Sequence, residues 1–438
     1  MTTAAGSPAD APLPAASAVT LSPEGFDPNS DAHVKIRGRL RRLLISMALG
    51  NLGIFLIWGA IPGVMLALQV QELDPARKAA NLAVTLTISS FVAMLAQPVA
   101  GMLSDRTRNR LGRRAPWMLL GAFCGGLALI GLAFSNTLVW ITIAWVLAEL
   151  SYNFAQGPMS AILPDRVPRG VRGTFASLAA LGFLAGGYGG PIIGASFADH
   201  LRAGYFFFAG LVLLIMVLFA VISPDHPSTG LRRAPLSLAT FARTFWVSPR
   251  AHPDFFWGFT GRLLLFVSYF LVSTYQLYIL QDYIGLGADA VRFIPVLALV
   301  GLGGNIVAVL IGGPVSDRVG RRKPIAIAAG LLYALAMLFP WVLPTTTGML
   351  FAAAILGLGF GTYLSVDGAL MSEVLPSSDD FGKDLGVLNI AATLPQIIAP
   401  WVVTLIVAIF GGYTLLFPVA MVIALVGAAA IIPIKSVR

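Results

Sequence analysis

From about residue 43 onward, apolar residues run in stretches of twenty or so, and polar residues collect in the gaps between them. A helix of about 20 apolar residues crosses the hydrocarbon core of a bilayer. Helix is the predicted state because a lipid-exposed segment must satisfy its backbone hydrogen bonds internally. Pro, Gly and charge divide the chain into twelve predicted spans, roughly 43–68, 81–103, 116–134, 138–163, 174–198, 204–223, 255–281, 293–314, 324–343, 347–371, 385–410 and 412–433. The pattern predicts an all-α membrane protein.

Composition agrees. Of 438 residues, 57% are hydrophobic and 11% charged, and the mean hydropathy is +0.83. Soluble domains carry about 25% charged residues, so an ordinary soluble enzyme is excluded. The net charge of +9 finds its partner in the membrane rather than in nucleic acid. One cysteine, Cys124, rules out an intramolecular disulfide, and His33, His200, His226 and His252 fall in predicted loops. No metal cluster, nucleophile-His-acid arrangement or Walker loop is present, so no enzymatic activity, metal or cofactor is expected.

Residues 1–34, rich in Ala, Pro, Ser and Asp, have no helical period and are expected to form a disordered cytoplasmic tail. The connections on one side of the predicted membrane hold nearly all of the 29 Lys and Arg. The other side holds Arg77, Lys78, Arg202 and Arg292, and Arg262 lies inside a span. The positive-inside rule then puts both termini in the cytoplasm. A Pro-rich connection at 224–254 separates an N-terminal six-helix bundle, 35–223, from a C-terminal one, 255–438. Leu103-Ser-Asp-Arg106 recurs as Val315-Ser-Asp-Arg318, and Leu163-Pro164 recurs as Leu375-Pro376 at the same offset. Such a duplication is an architecture of secondary transporters.

The repeated loops, Gly101-Met-Leu-Ser-Asp-Arg-Thr-Arg-Asn-Arg-Leu-Gly-Arg-Arg114 and Gly313-Pro-Val-Ser-Asp-Arg-Val-Gly-Arg-Arg322, resemble the signature G-x-L-x-D-R-x-G-R-R of the major facilitator superfamily. The four extra residues after Arg106 resemble the variant of the glycoside-pentoside-hexuronide cation symporters and the plant sucrose/proton symporters. An acid there can pair with Arg or cap a helix to hold one conformation closed. Gating roles are therefore expected for Asp105, Arg106, Arg113, Arg114, Asp317, Arg318, Arg321 and Arg322, and for Glu373 at the end of span ten. Positive-inside anchoring alone would explain the arginines, but not acids at matched places.

In span four, Glu149, Asn153, Gln156 and Ser160 follow at intervals of four, three and four residues and share one helical stripe. A charged carboxyl at mid-bilayer costs about 2.5–3.5 kcal/mol on insertion scales, so Glu149 should face the pathway. The stripe resembles the plant sucrose symporters, whose fourth helix reads D-x-x-x-N-x-x-Q-G-P-x-R. That likeness puts Glu149 in the place of the proton-carrying acid, and Asn153, Gln156, Gly157 and Pro158 match. Ser160 stands where the family has Arg, so the likeness does not carry sucrose itself over to this chain as the substrate.

Arg262, in span seven, should either find a carboxylate or snorkel to the inner surface. Asp367, in Gly357-Leu-Gly-Phe-Gly-Thr-Tyr-Leu-Ser-Val-Asp367, either pairs with Arg262 or the second signature loop as a lock, or carries a proton. Asn51, Trp58, Asn153, Gln156, Arg262, Tyr269, Gln276, Tyr363 and Asp367 make up the expected substrate site, with Trp58 offering an aromatic face to a sugar ring. Amides and tyrosines at that depth also serve as interhelical glue; Tyr188, Asn305, Asn389 and Gln396 stay open between the two roles. Trp140, Trp246, Trp257, Trp341 and Trp401 fit interfacial belts.

Together these features predict a multi-pass plasma-membrane carrier that takes up a sugar or glycoside with a proton by alternating access, and that works as a monomer. A proton-driven exporter of amphipathic compounds, a transport-inactive sensor and a membrane enzyme are the rival readings. Sodium coupling ranks below protons, because the resemblance would require paired acids in span two, which has none.

Overall fold

A computed structural model of the chain describes residues 22, 24–27, 30–31, 34–229, 252–319, 322–374 and 381–435, with backbone only for 312–319, 369, 372–373 and 381–389. Twelve long helices form the body of the described residues: α1 Gly38–Ala60, α2 Lys78–Arg106, α3 Ala115–Ala133, α4 Leu138–Ser160, α5 Arg172–Ser196, α6 Leu201–Ile222, α7 Pro253–Ser273, α8 Ala290–Val319, α9 Arg322–Val342, α10 Thr346–Val374, α11 Phe381–Phe410 and α12 Leu416–Ile431. Among the described residues, eleven helical segments are long and apolar enough to cross a membrane, and Leu416–Ile431 is a shorter apolar helix. There is no strand among them.

The first and seventh spans depart most from uniform helix among the described residues. Pro62 cannot donate a backbone hydrogen bond, and α1 passes into a π-helical turn, Ile61–Met65, before continuing as Leu66–Leu73. The seventh span, expected as one helix over 255–281, stops at Ser273, because Tyr275 leaves helical geometry at φ −102°, ψ 15°. It resumes as the short turn Gln276–Tyr278 and a second π turn, Ile279–Tyr283. The first helix of each half therefore loosens at the same end, and π turns of this kind mark places where a helix is reshaped for function.

The repeat read from sequence is a repeat of packing. In the first half α1 lies against α5 and α6, α4 against α2 and α3, and α3 against α6. In the second half α7 lies against α11 and α12, α10 against α8 and α9, and α9 against α12. The bundles meet along two seams, α2 with α11 and α5 with α8, which are themselves related by the repeat.

The starts of α1 and α7 and the ends of α6 and α12 lie at one end of the molecule, called the basic end below. There the Ser46 and Ser223 hydroxyls are 3.1 Å apart, and the Lys435 amide donates to Asp254 Oδ2 at 3.1 Å. Part of the expected disordered tail is built onto this end. Glu24 pairs with Arg166, which also donates to the Ser223 carbonyl at 3.1 Å. Phe26 packs against the core. A buried guanidinium needs a carboxylate, and Glu24 supplies it. Trp140, Trp257 and Trp341 are exposed near helix ends, as a belt requires; Trp401 is exposed but sits near the middle of the apolar stretch Ile390–Phe410, and Trp246 lies outside the described residues.

Close approach of α1 and α5 depends on glycine. A Cβ on Gly190 would stand 2.5 Å from the Leu56 carbonyl oxygen and 2.7 Å from the Ala60 nitrogen, whereas one on Gly187 meets nothing within 4 Å. Gly190→Leu should therefore lower stability by about 1–3 kcal/mol through overpacking, and Gly187→Ala should leave it unchanged. Thermal unfolding of the purified variants in one detergent checks this; equal midpoints would contradict the packing.

Candidate functional site

Helix α4 starts with Thr137, whose side chain accepts from the Trp140 amide. It turns Glu149, Asn153 and Gln156 inward, at 7%, 5% and 8% exposure, while Leu147 on the other face is 49% exposed. The Asn153 amide donates to the Glu149 backbone oxygen at 2.9 Å. Glu149 Oε2 and Gln156 Oε1 are buried with no hydrogen-bond partner among the described residues. Trp58 of α1 stands beside the Glu149 carboxyl, although its indole nitrogen does not reach hydrogen-bond geometry. Asn51, two turns before Trp58 on the same face, donates to the Met47 carbonyl at 2.9 Å. Gly157 lets α2 come close, since a Cβ there would lie 2.7 Å from the Gln97 oxygen. Ser160 ends the helix, exposed, and donates to the Gly157 carbonyl at 2.8 Å; it is not part of the buried stripe.

The second bundle holds a charge pair. Arg262 Nη2 of α7 is 3.3 Å from Asp367 Oδ2 of α10, with side chains 14% and 9% exposed. The guanidinium also lies over the Phe266 ring, 5.6 Å from its centroid. Of the two fates expected for Arg262, pairing is the one observed, and Asp367 is its partner. Tyr363, one turn before Asp367, lies next to that carboxyl. Tyr363 Oη, Asp367 Oδ1 and Arg262 Nε are buried and have no hydrogen-bond partner among the described residues. Tyr269 stacks on Phe360 at 4.7 Å and 22°. Gln276 falls elsewhere: it opens the turn beyond α7, fourteen residues from Arg262, about 20 Å along a helix at 1.5 Å per residue.

At the basic end the first signature loop is a four-charge knot. Arg114 Nη2 is 2.6 Å from Asp105 and 2.7 Å from Asp165. Arg113 is 2.9 Å from Asp165 and 3.9 Å from Asp105. Arg114 also donates to Ser104 Oγ at 3.0 Å. Two aspartates shared by two arginines tie the end of α4 to the α2–α3 loop. Asp165 was not among the expected gating residues; the signal for it was the repeated Leu-Pro pair immediately before it. Arg106 is half-buried in the same loop, and Arg322 opens α9. Arg321 and the side chains of Asp317, Arg318 and Glu373 lie outside the described residues.

At the opposite end the two bundles are bolted together. Lys78 of α2 is 2.8 Å from Asp282 and donates to Gln281 Oε1 at 3.2 Å, and it lies over the Tyr278 ring at 4.7 Å. Tyr278 Oη donates to the Ala67 carbonyl at 2.7 Å, and Tyr275 Oη to the Ala79 carbonyl at 3.3 Å. Midway along the α5–α8 seam, Tyr188 approaches Asn305. Among these cross-bundle residues, Lys78 and Asp282 fall in predicted connections and the others are polar residues within predicted spans, none with a periodic or motif signal.

Two six-helix bundles related by a repeat, meeting along two seams around inward-facing polar groups, are the construction of a membrane carrier. The family model described as Major Facilitator Superfamily matches residues 43–312 and 296–437, and the chain belongs to that superfamily. It is a multi-pass integral membrane transporter, and carriers of this superfamily are not enzymes.

Three relatives and two solved structures place it further. Lactose permease of Leuconostoc lactis is 28% identical over 149 residues, 29% of this chain and 23% of that protein. General alpha-glucoside permease of Schizosaccharomyces pombe is 36% identical over 93 residues, 18% of this chain and 17% of that protein. Membrane-associated transporter protein of Mus musculus is 32% identical over 166 residues, 32% of this chain and 31% of that protein. The matches span under a third of each relative. The fold is that of a D-xylose-proton symporter, with TM-score 0.68 and 17% identity over 90% of this chain and 97% of that one. A nucleoside transporter gives TM-score 0.70 and 13% identity over 90% and 99%.

Removing one member of the Arg262–Asp367 pair leaves a buried charge uncompensated. Arg262→Met should cost about 3–5 kcal/mol, and the double variant Arg262→Met with Asp367→Leu should recover most of that. Unfolding midpoints in lipid nanodiscs test the coupling; a double variant as damaged as the sum of the single ones would contradict it.

Proposed function

We propose that this transporter carries a sugar or glycoside into the cell together with a proton, by alternating access. The observation that carries the reading is the contrast between its two inward carboxyls. Asp367 has Arg262 as a counter-ion. Glu149 has no cation partner among the described residues and sits on a helical face with two amides, next to an indole. A buried carboxylate without a counter-ion is costly in a low-dielectric interior, and binding a proton removes the charge. The bundles rock when the site holds both proton and solute or neither, and resist rocking when only one of the two is bound, which couples the two fluxes.

The neighbouring groups suit a polyhydroxylated, uncharged solute. Asn153 and Gln156 offer amide donors and acceptors, Trp58 an apolar ring face, and Tyr363 a hydroxyl. The names of two relatives, a lactose permease and an alpha-glucoside permease, support the substrate class, and the name of the xylose-proton symporter supports the coupling ion. With the basic end in the cytoplasm, the Lys78–Asp282 contact closes the outer side, and the signature loop works on the inner side. The carrier acts as a monomer in the plasma membrane and needs no cofactor beyond the proton gradient.

The aromatic group Phe266, Tyr269, Tyr333, Phe360 and Tyr363 favours one second reading, a proton-driven exporter of amphipathic compounds. Deleting the gene separates the two: loss of growth on a glycoside follows from an importer, and heightened sensitivity to a toxic amphiphile from an exporter.

In liposomes with an inward proton gradient, Glu149→Gln should reduce accumulation of lactose or an alpha-glucoside to the level of protein-free vesicles, while sugar counterflow continues. Undiminished gradient-driven uptake by Glu149→Gln would overturn the assignment.

A further inference from the structure

Asn305 of α8 is fully buried, and neither end of its amide has a hydrogen-bond partner among the described residues. That separates it from Asn51 and Asn153, whose amides donate to carbonyls of their own helices. An amide that served as interhelical glue would be bonded across a helix pair. One that served only to fill space would be replaced at lower cost by leucine, since an unmet buried donor and acceptor forfeit their hydration for nothing.

Its surroundings are built to receive it. A Cβ on Gly361 of α10 would lie 3.1 Å from Asn305 Oδ1, so the absence of a side chain there leaves the amide its space. From the other bundle, Tyr188 of α5 lays its ring 3.0 Å from where a Cβ on Gly301 would stand, and its hydroxyl comes up to the amide. Tyr188 is half-buried and packs with the second-bundle cluster that contains Tyr333, Phe360 and Tyr363. Asn305 and Tyr188 thus face each other across the α5–α8 seam, one from each bundle, and relative movement of the bundles must open and close the space between them.

We propose that Asn305 and Tyr188 form a hydroxyl-reading subsite at this seam, which selects among substrates by one hydroxyl group of a polyhydroxylated ligand. The inference rests on the sugar reading above. When the seam parts, the amide offers two donors and an acceptor and the phenol a donor and an acceptor, a set that meets a sugar hydroxyl from both sides. When the seam shuts, the same groups are left facing each other, as observed. A site that hydrogen-bonds a hydroxyl rejects the analogue lacking it, because its own polar groups are then stranded.

The test uses the full-length protein in detergent, with methyl α-glucoside, maltose and lactose and the monodeoxy analogues of each as probes. Binding is measured for the wild type, Asn305→Leu and Tyr188→Phe. The wild type should lose about tenfold in affinity when one particular hydroxyl is removed. That penalty should vanish in Asn305→Leu and shrink in Tyr188→Phe. Tyr188→Phe keeps the ring against Gly301, so it carries the test even if Asn305→Leu fails to fold. The proposal is overturned if the wild type shows no such position, or if the variants keep the full penalty while binding sugar. If the wild type binds none of the sugars, the sugar reading itself falls, a result distinct from a lost or retained penalty.

Discussion

Burying an ionised group away from water is so unfavourable that every such group needs a reason, and the arrangement of this transporter follows from how each one is met. Arg262 is neutralised by Asp367 across α7 and α10. Arg166 is met by Glu24 and by the carbonyls at the end of α6. Arg114 is held between Asp105 and Asp165. Glu149 alone, among the described carboxyls buried within a span, has no cation partner among the described residues; an indole stands beside it and two amides share its helical face. A group whose charge has no counterpart in the protein is the natural place for an exchangeable proton to act.

The duplicated packing is what would give the proposed proton mechanical consequence. Because each helix pair of the first bundle recurs six helices later, the bundles behave as two similar bodies with two equivalent seams. At one end the start of α2 and the turn beyond α7 are bolted by Lys78, Tyr275 and Tyr278. At the other, the charge knot of the signature loop fixes the end of α4, the helix that carries Glu149. The helix that carries Glu149 is therefore anchored, through Asp165 just beyond its end, to the loop that the repeat places in both halves.

Much of this was legible in the sequence, for physical reasons that also explain where it stopped. Hydrophobic length fixes helix number in a membrane, so most of the spans could be read to within a few residues. The spacing of Glu149, Asn153 and Gln156 fixes their common face, because helical periodicity is local. What the sequence hides is which distant groups meet. Arg262 had two physically reasonable fates, and only the fold brings it to Asp367, more than a hundred residues away. Glu24 lies in a stretch without helical period, yet it completes the burial of Arg166. The break after Ser273 was invisible, since the apolar run continues through it, and with it went the position of Gln276. Tyr188 and Asn305 looked like any polar residues in spans until the α5–α8 seam joined them.

The central claim is that substrate and proton move together through one protonatable site. Its most direct test is the pH inside sealed liposomes that contain the wild-type protein, valinomycin with potassium to dissipate membrane potential, and a pH-sensitive dye, with no proton gradient at the start. Adding lactose or an alpha-glucoside outside should acidify the lumen as the sugar enters, and a protonophore should abolish the change. Sugar entry with an unchanged internal pH would contradict the account.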